Sequence, residues 1–269
     1  MRRHIDPSEL ARDDRFNRVS TETRFSDQRQ VEQNNRIDGS ATDVHDRARR
    51  LMHGIFVGEI QALEGAGRTC FDFPVAGENG AGADPMAVPF ALKLDMARQC
   101  WDEARHCEIS VKLGDHMGMD IGEFFESTTL FEAACHADPV FRLAGVNRAL
   151  EGLAIDVFNS MKEFGAAMTD PVLEFCEDWM LADEVTHVKM GSTWLREVTK
   201  TDKERQIRAL EFQKVVDGLF NFRGQRGEDA DSSIRLARKF REMAGFTSSE
   251  VDVIAEMSRQ SRAEVLTPV

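Results

Sequence analysis

Two pentapeptides in this chain combine a carboxylate and an imidazole at helical spacing: Asp102-Glu103-Ala-Arg-His106 and Asp183-Glu184-Val-Thr-His187. With 24 Glu and 7 His in 269 residues, about 0.6 Glu-x-x-His would arise by chance, so a single copy would carry little weight. Two copies inside the same Asp-Glu-x-x-His frame are a repeat. On a helix, residues i and i+3 share a face, so each copy delivers one carboxylate and one imidazole to a common point. A second repeat adds a lone carboxylate ahead of each pair. Ala62-Leu-Glu64-Gly recurs as Ala149-Leu-Glu151-Gly, and each Glu is followed seven residues later by Phe, at Phe71 and Phe158. The chain therefore reads as a duplicated helix pair.

The elements that must carry these residues follow from apolar periodicity and turn chemistry. Leu51, Ile55, Phe56, Ile60, Leu63 and Ala66 recur at spacings of three and four, which predicts an amphipathic helix from about 43 to 71. The glycine- and proline-rich stretch from Pro74 to Pro85 is a loop. A second helix runs from about Pro89 to the Gly114–Gly118 region, and residues 119–137 connect with a short helix. Asp138-Pro139 and Asp170-Pro171 each place a capping carboxylate before a proline that suits the first helical position, giving helices over about 139–168 and 171–199. A further helix extends from 201 to 222, followed by a polar loop (223–231) and short helices near 232–244 and 248–262. No strand pair is expected. The expected architecture is all-α: an irregular N-terminal arm (1–43), a four-helix bundle (44–200) and a C-terminal helical extension packed on it (201–269).

Antiparallel neighbours bring two positions level only when the turn lies midway between them. The midpoint for Glu151 and the Glu184/His187 pair falls near 168, beside Asp170-Pro171, and for Glu64 and Glu103/His106 near 84, at Asp84-Pro85. Four helices can thus present Glu64, Glu103, His106, Glu151, Glu184 and His187 at one level of a bundle core, as in ferritin-like dimetal proteins. Buried carboxylates are expensive unless paired or metal-bound. Four Glu and two His without a thiolate suit two divalent first-row ions, Fe first, with Mn or a mixed Fe/Mn pair as the other choices.

The segments Gly58-Glu-Ile-Gln-Ala-Leu-Glu64, Asp102-Glu-Ala-Arg-His106, Ala149-Leu-Glu-Gly-Leu153 and Asp183-Glu-Val-Thr-His187 resemble an uncharacterised bacterial ferritin-like family of unknown function, distantly similar to diiron tRNA hydroxylases. The resemblance covers about residues 50–200 and, more weakly, Ala244-Gly-Phe246. It implies a dimetal bundle and names no substrate. The function expected from the donor set is a non-haem diiron oxygenase or oxidase, with O2 as co-substrate, a small organic substrate and room for an external electron donor. A ferroxidase, iron-storage or peroxide-detoxifying protein is the alternative. A metal-free helical interaction protein is the third reading, opposed by six intact donor positions.

Composition narrows the field further. With 34 Lys plus Arg against 47 Asp plus Glu, the net charge is −13, which disfavours a nucleic-acid partner and weakens a tRNA substrate. No apolar run approaches a membrane span and no signal segment is legible, so the expected location is the cytoplasm. A homodimer is compatible with all of this. Five cysteines without a C-x-x-C pair exclude a rubredoxin-type site and a disulfide framework. Zero Tyr beside 18 Phe excludes a tyrosyl-radical mechanism.

Several neighbours compete for roles. Glu59 rivals Glu64, but five residues is about 140° of helix rotation, so both cannot face one site at one level, and the internal repeat favours Glu64. Glu59 is then expected behind the ligands or at the surface. Asp102 and Asp183 could accept the distal N–H of a ligating His. Glu177 is expected to be an exposed ion-pair partner, and His53 a packing or channel-lining residue. Phe71, Phe158, Trp101 and Trp179 are expected in the core, and Cys100 and Cys107 as inert packing groups.

Overall fold

The computed structural model describes residues 44–266 apart from 78–83, 125, 127 and 230–231; the predicted N-terminal arm and part of the predicted loop after Pro74 lie outside the described residues. Among the described residues the protein is all-α apart from one pair of two-residue strands. Its described residues fall into two compact units, the first ending at Glu132 and the second beginning at Ala133.

The first unit is built on two long helices, α1 (Val44–Asp72) and α2 (Phe90–Met117). They run antiparallel, as three cross-helix contacts establish. Cys70 Sγ reaches the Lys93 carbonyl, Cys100 Sγ reaches the Leu63 carbonyl, and His106 meets Glu59. The residue numbers of each pair add to nearly the same value, so the register of the two helices has its sequence midpoint about two residues before Asp84. Hydrogen bonds between Ala76 and Val88 and between Val88 and Pro74 zip the ends of the connection together. Helix α2 ends at Gly118, which takes a left-handed conformation (φ 71°) and returns hydrogen bonds to the last turn. The predicted short helix of the connection is α3 (Thr129–Ala134).

The second unit opens with α4 (Pro139–Arg142), capped by Asp138, whose carboxylate accepts from Val140 N at 2.8 Å. The expected single helix over 139–168 is divided. Residues Leu143–Leu150 form a π-helix, every residue of it buried, before α5 (Glu151–Met168) resumes the ordinary register. Asp170 caps α6 (Pro171–Val198) through Val172 N and Leu173 N, both at 3.1 Å, with Pro171 at the first helical position as expected. The α5–α6 turn is tight because Gly165 has no side chain: a Cβ there would lie 2.7 Å from Glu174 N.

After α6, helix α7 (Lys203–Leu219) packs on the π-helical segment, with Phe212 filling the space left by Gly145. Residues Arg226–Gly227 (β1) and Ile234–Arg235 (β2) pair in parallel, where no strand was expected. They displace the start of the expected 232–244 helix, which is only Arg238–Met243 (α8). A last helix, α9, spans Ser248–Leu266. Among the described residues no helix is long and apolar enough to cross a membrane.

Candidate metal centre

The first unit brings together Glu59, Glu103 and His106, with one ligand atom from each within 4.8 Å of the others. Glu103 and His106 are 0% exposed and Glu59 is 5% exposed. His106 Nδ1 stands 3.0 Å from Glu59 Oε2 and 3.1 Å from Glu103 Oε2. The orientation of Glu103 is fixed from behind, where Gln99, one helical turn earlier and equally buried, donates from Nε2 to Glu103 Oε1 at 3.0 Å.

The residue expected from α1, Glu64, does not join this group; Glu59 does. The midpoint of the register lies about two residues earlier than the Asp84-Pro85 signal suggested, so Glu64 is level with Cys100, not with His106. Glu59 also occupies the centre of the buried stripe of α1, with Met52, Ile55 and Phe56 before it and Ala62 and Ala66 after it. A carboxylate inside an i, i+3, i+7 apolar stripe was the available signal. Gln99 had no comparable mark, because glutamine is common on exposed faces too.

The second unit repeats the composition with Glu151, Glu184 and His187, whose ligand atoms also lie within 4.8 Å of one another. Glu184 and His187 are 0% exposed and Glu151 3%. His187 Nδ1 is 3.4 Å from Glu184 Oε2. The register of α5 against α6 is read from Lys162–Asp178 and from the close approach of Gly165 to Glu174. It sets Glu151 opposite His187, as the sequence midpoint required.

Other expectations resolve differently. Asp102 is 2% exposed but pairs with Arg98 at 3.4 Å and with Arg105, so it braces the outer face of α2. Glu177, expected on the surface, is fully buried. His53 is bound in a polar knot: Nδ1 lies 2.8 Å from Glu126 Oε1, and Nε2 accepts from Gly122 N at 3.0 Å. That pattern places the proton on Nδ1. Phe158 is core, whereas Phe71 and Trp101 are exposed (58% and 66%) and Trp179 is 39% exposed. Burial pushes the Cys107 thiol well above its usual value, with the charges of Glu59 and Glu103 adding to the effect, so it stays protonated beside the carboxylates.

Each unit thus buries two carboxylates and one imidazole on the pattern Glu, then Glu-x-x-His. Such a set fits a hard or borderline divalent cation with oxygen and nitrogen preference, as Fe or Mn has. A family model described as "Protein of unknown function (DUF455)" matches residues 4–252. No curated protein matches the chain. No solved structure matches it either.

Proposed function

The chain belongs to the DUF455 family, and we propose that it is a ferritin-like dimetal protein working as a non-haem diiron oxygenase or oxidase on a small organic substrate. The observation that carries this reading is the duplication: two buried Glu, Glu, His sets of the same order, one per helix pair. Glu59, Glu103 and His106 would hold one ion, and Glu151, Glu184 and His187 the other. A bundle that presents a Glu from each of two helices and Glu-x-x-His from each of the other two is the recurrent scaffold for such a pair. Bound as reduced iron, the pair would supply the electrons that activate O2 for oxidation of the substrate.

The chain's own residues account for the remaining requirements. His106 and His187 must offer a neutral ring nitrogen, so a proton held at His106 Nδ1 between Glu59 and Glu103 has to leave as the ion enters. Gln99 keeps Glu103 Oε1 engaged and leaves Oε2 to turn toward His106. The near-complete burial of all six donors excludes bulk water, which strengthens every charge interaction within each set. The same dryness protects a reactive site from side reactions.

The test is metal analysis of protein loaded anaerobically with Fe(II), followed by exposure to isotopically heavy O2 in the presence of a low-molecular-weight metabolite extract. Two irons per chain and a product carrying the heavy oxygen, or a dehydrogenated product formed with O2 consumption, are expected. Multi-turnover oxidation of iron alone would replace this reading with a ferroxidase. Substoichiometric metal that is unchanged in Glu103→Ala and His187→Ala would overturn the metal centre itself.

A further inference from the structure

Beyond the six donors, a concentration of buried charge in the second unit lies on the helix that carries Glu151. Asp156, 0% exposed, accepts from Arg241 Nε at 2.9 Å and Nη2 at 2.7 Å, from Arg226 Nε at 2.9 Å and from Ala237 N at 2.9 Å. Arg241 Nη2 also donates to the carbonyl of Gly152, the residue after Glu151. Three residues before Glu151, Arg148 is 3% exposed and donates to Ser192 Oγ on α6 at 2.6 Å and to Glu250 on α9. The ring of Phe246 contacts both guanidiniums, its centroid 4.4 Å from Arg148 Cζ and 5.0 Å from Arg241 Cζ.

Buried ion pairs are poor devices for stability alone, since desolvation consumes most of the attraction. At Arg241 burial is the largest single influence and works against the charge, yet the charges of Asp156 and Asp217 and the hydrogen bond to Asp156 together outweigh it, and the guanidinium is raised above its usual value. What the network grips is specific. It holds the chain on both sides of the point where the π-helix gives way to α5, and the Glu151 N–H still bonds back five residues to the Val146 carbonyl. A π turn contains about one residue more than an α turn, so its loss would rotate one side against the other by roughly 100°. That rotation would carry Glu151 off the face it shares with Glu184 and His187.

We propose that Arg148, Asp156 and Arg241 are positioning residues that lock the π-to-α junction in register and thereby hold the Glu151 carboxylate in place for a divalent ion. The inference rests on the metal reading above. It gives the C-terminal helices a role: α8, α9 and Phe246 form a clamp on a ligand-bearing helix. Gly152 belongs to the same device, because a Cβ there would lie 2.9 Å from Arg241 Nη1 and 3.2 Å from Nη2.

The experiment loads the full chain with Mn(II) and reads stoichiometry by elemental analysis and pairing by electron paramagnetic resonance. Wild type is expected to bind two Mn(II) as a spin-coupled pair. Gly152→Ala displaces the Arg241 guanidinium while removing no charge and improving helix propensity, and Arg241→Met removes the guanidinium. Both are expected to halve the bound manganese and give the six-line spectrum of an isolated ion, with wild-type helicity in circular dichroism. If Arg241→Met fails to fold, Gly152→Ala decides by the same two readouts. Two coupled ions in folded Gly152→Ala would overturn the clamp and leave the metal reading standing. No manganese in wild type would overturn the metal reading and the clamp with it.

Discussion

Replacing Glu59 by Gln separates the register of α1 from the sequence repeat as guides to the metal centre. Glu59 lies 13 residues before the end of α1 and Glu103 lies 13 residues after the start of α2. At 1.5 Å per residue both are about 20 Å from the turn, whereas Glu64 is five residues, about 7.5 Å, nearer to it. Ion binding to the folded state adds about 2.7 kcal/mol per site at a hundredfold excess over Kd. For a chain of this size that is about 5 °C per ion, so about 10 °C for two. Thermal melts with and without excess Mn(II) should therefore show about a 10 °C increase for wild type and for Glu64→Gln, and about half of that for Glu59→Gln. Without metal, Glu59→Gln should melt no lower than wild type, because it removes one of two carboxylates buried against the same imidazole. The reasoning fails if Glu64→Gln halves the increase while Glu59→Gln retains it.

Asp102→Asn should cost about 1–3 kcal/mol in denaturant unfolding, because a buried carboxylate serving Arg98 and Arg105 is neutralised. It should leave metal stoichiometry intact, and loss of metal would restore Asp102 as a partner of the histidine. His53→Phe leaves Gly122 N and Glu126 without their bonds to the imidazole and should destabilise the protein by about 2 kcal/mol, measured by urea unfolding. Burial holds the His136 imidazole below its usual value of 6.5, overcoming the opposing charge of Asp138. Its contribution to stability is therefore fully present above pH 6.5 and is lost as the pH falls through the lower folded value. The drop in melting temperature between pH 7.5 and 5 should be smaller in His136→Asn, and an unchanged drop would remove His136 as a cause.

The two Asp-Glu-x-x-His segments, the capping signals at Asp138 and Asp170 and the helical periods are local properties, set by i to i+4 geometry and by single turns. They sufficed to place Glu103, His106, Glu184 and His187 on two helices and to set Glu151 level with His187. The choice between Glu59 and Glu64 was not local. It depended on the register of α1 against α2 across the 17-residue connection between them, and a shift of two residues in its midpoint moves the partner on the opposite helix by four. The π-helix at Leu143–Leu150 has the same character. Its wider turn is enclosed by residues remote in sequence, with Phe212 against Gly145 and Gly191 against Asn147. The ionic clamp around Asp156 joins residues 70 and 85 positions apart, and no spacing rule links an aspartate to arginines at such separations. Sequence thus determined the donor types and the helices that carry them; the register of those helices, and what holds it, came from packing between distant segments.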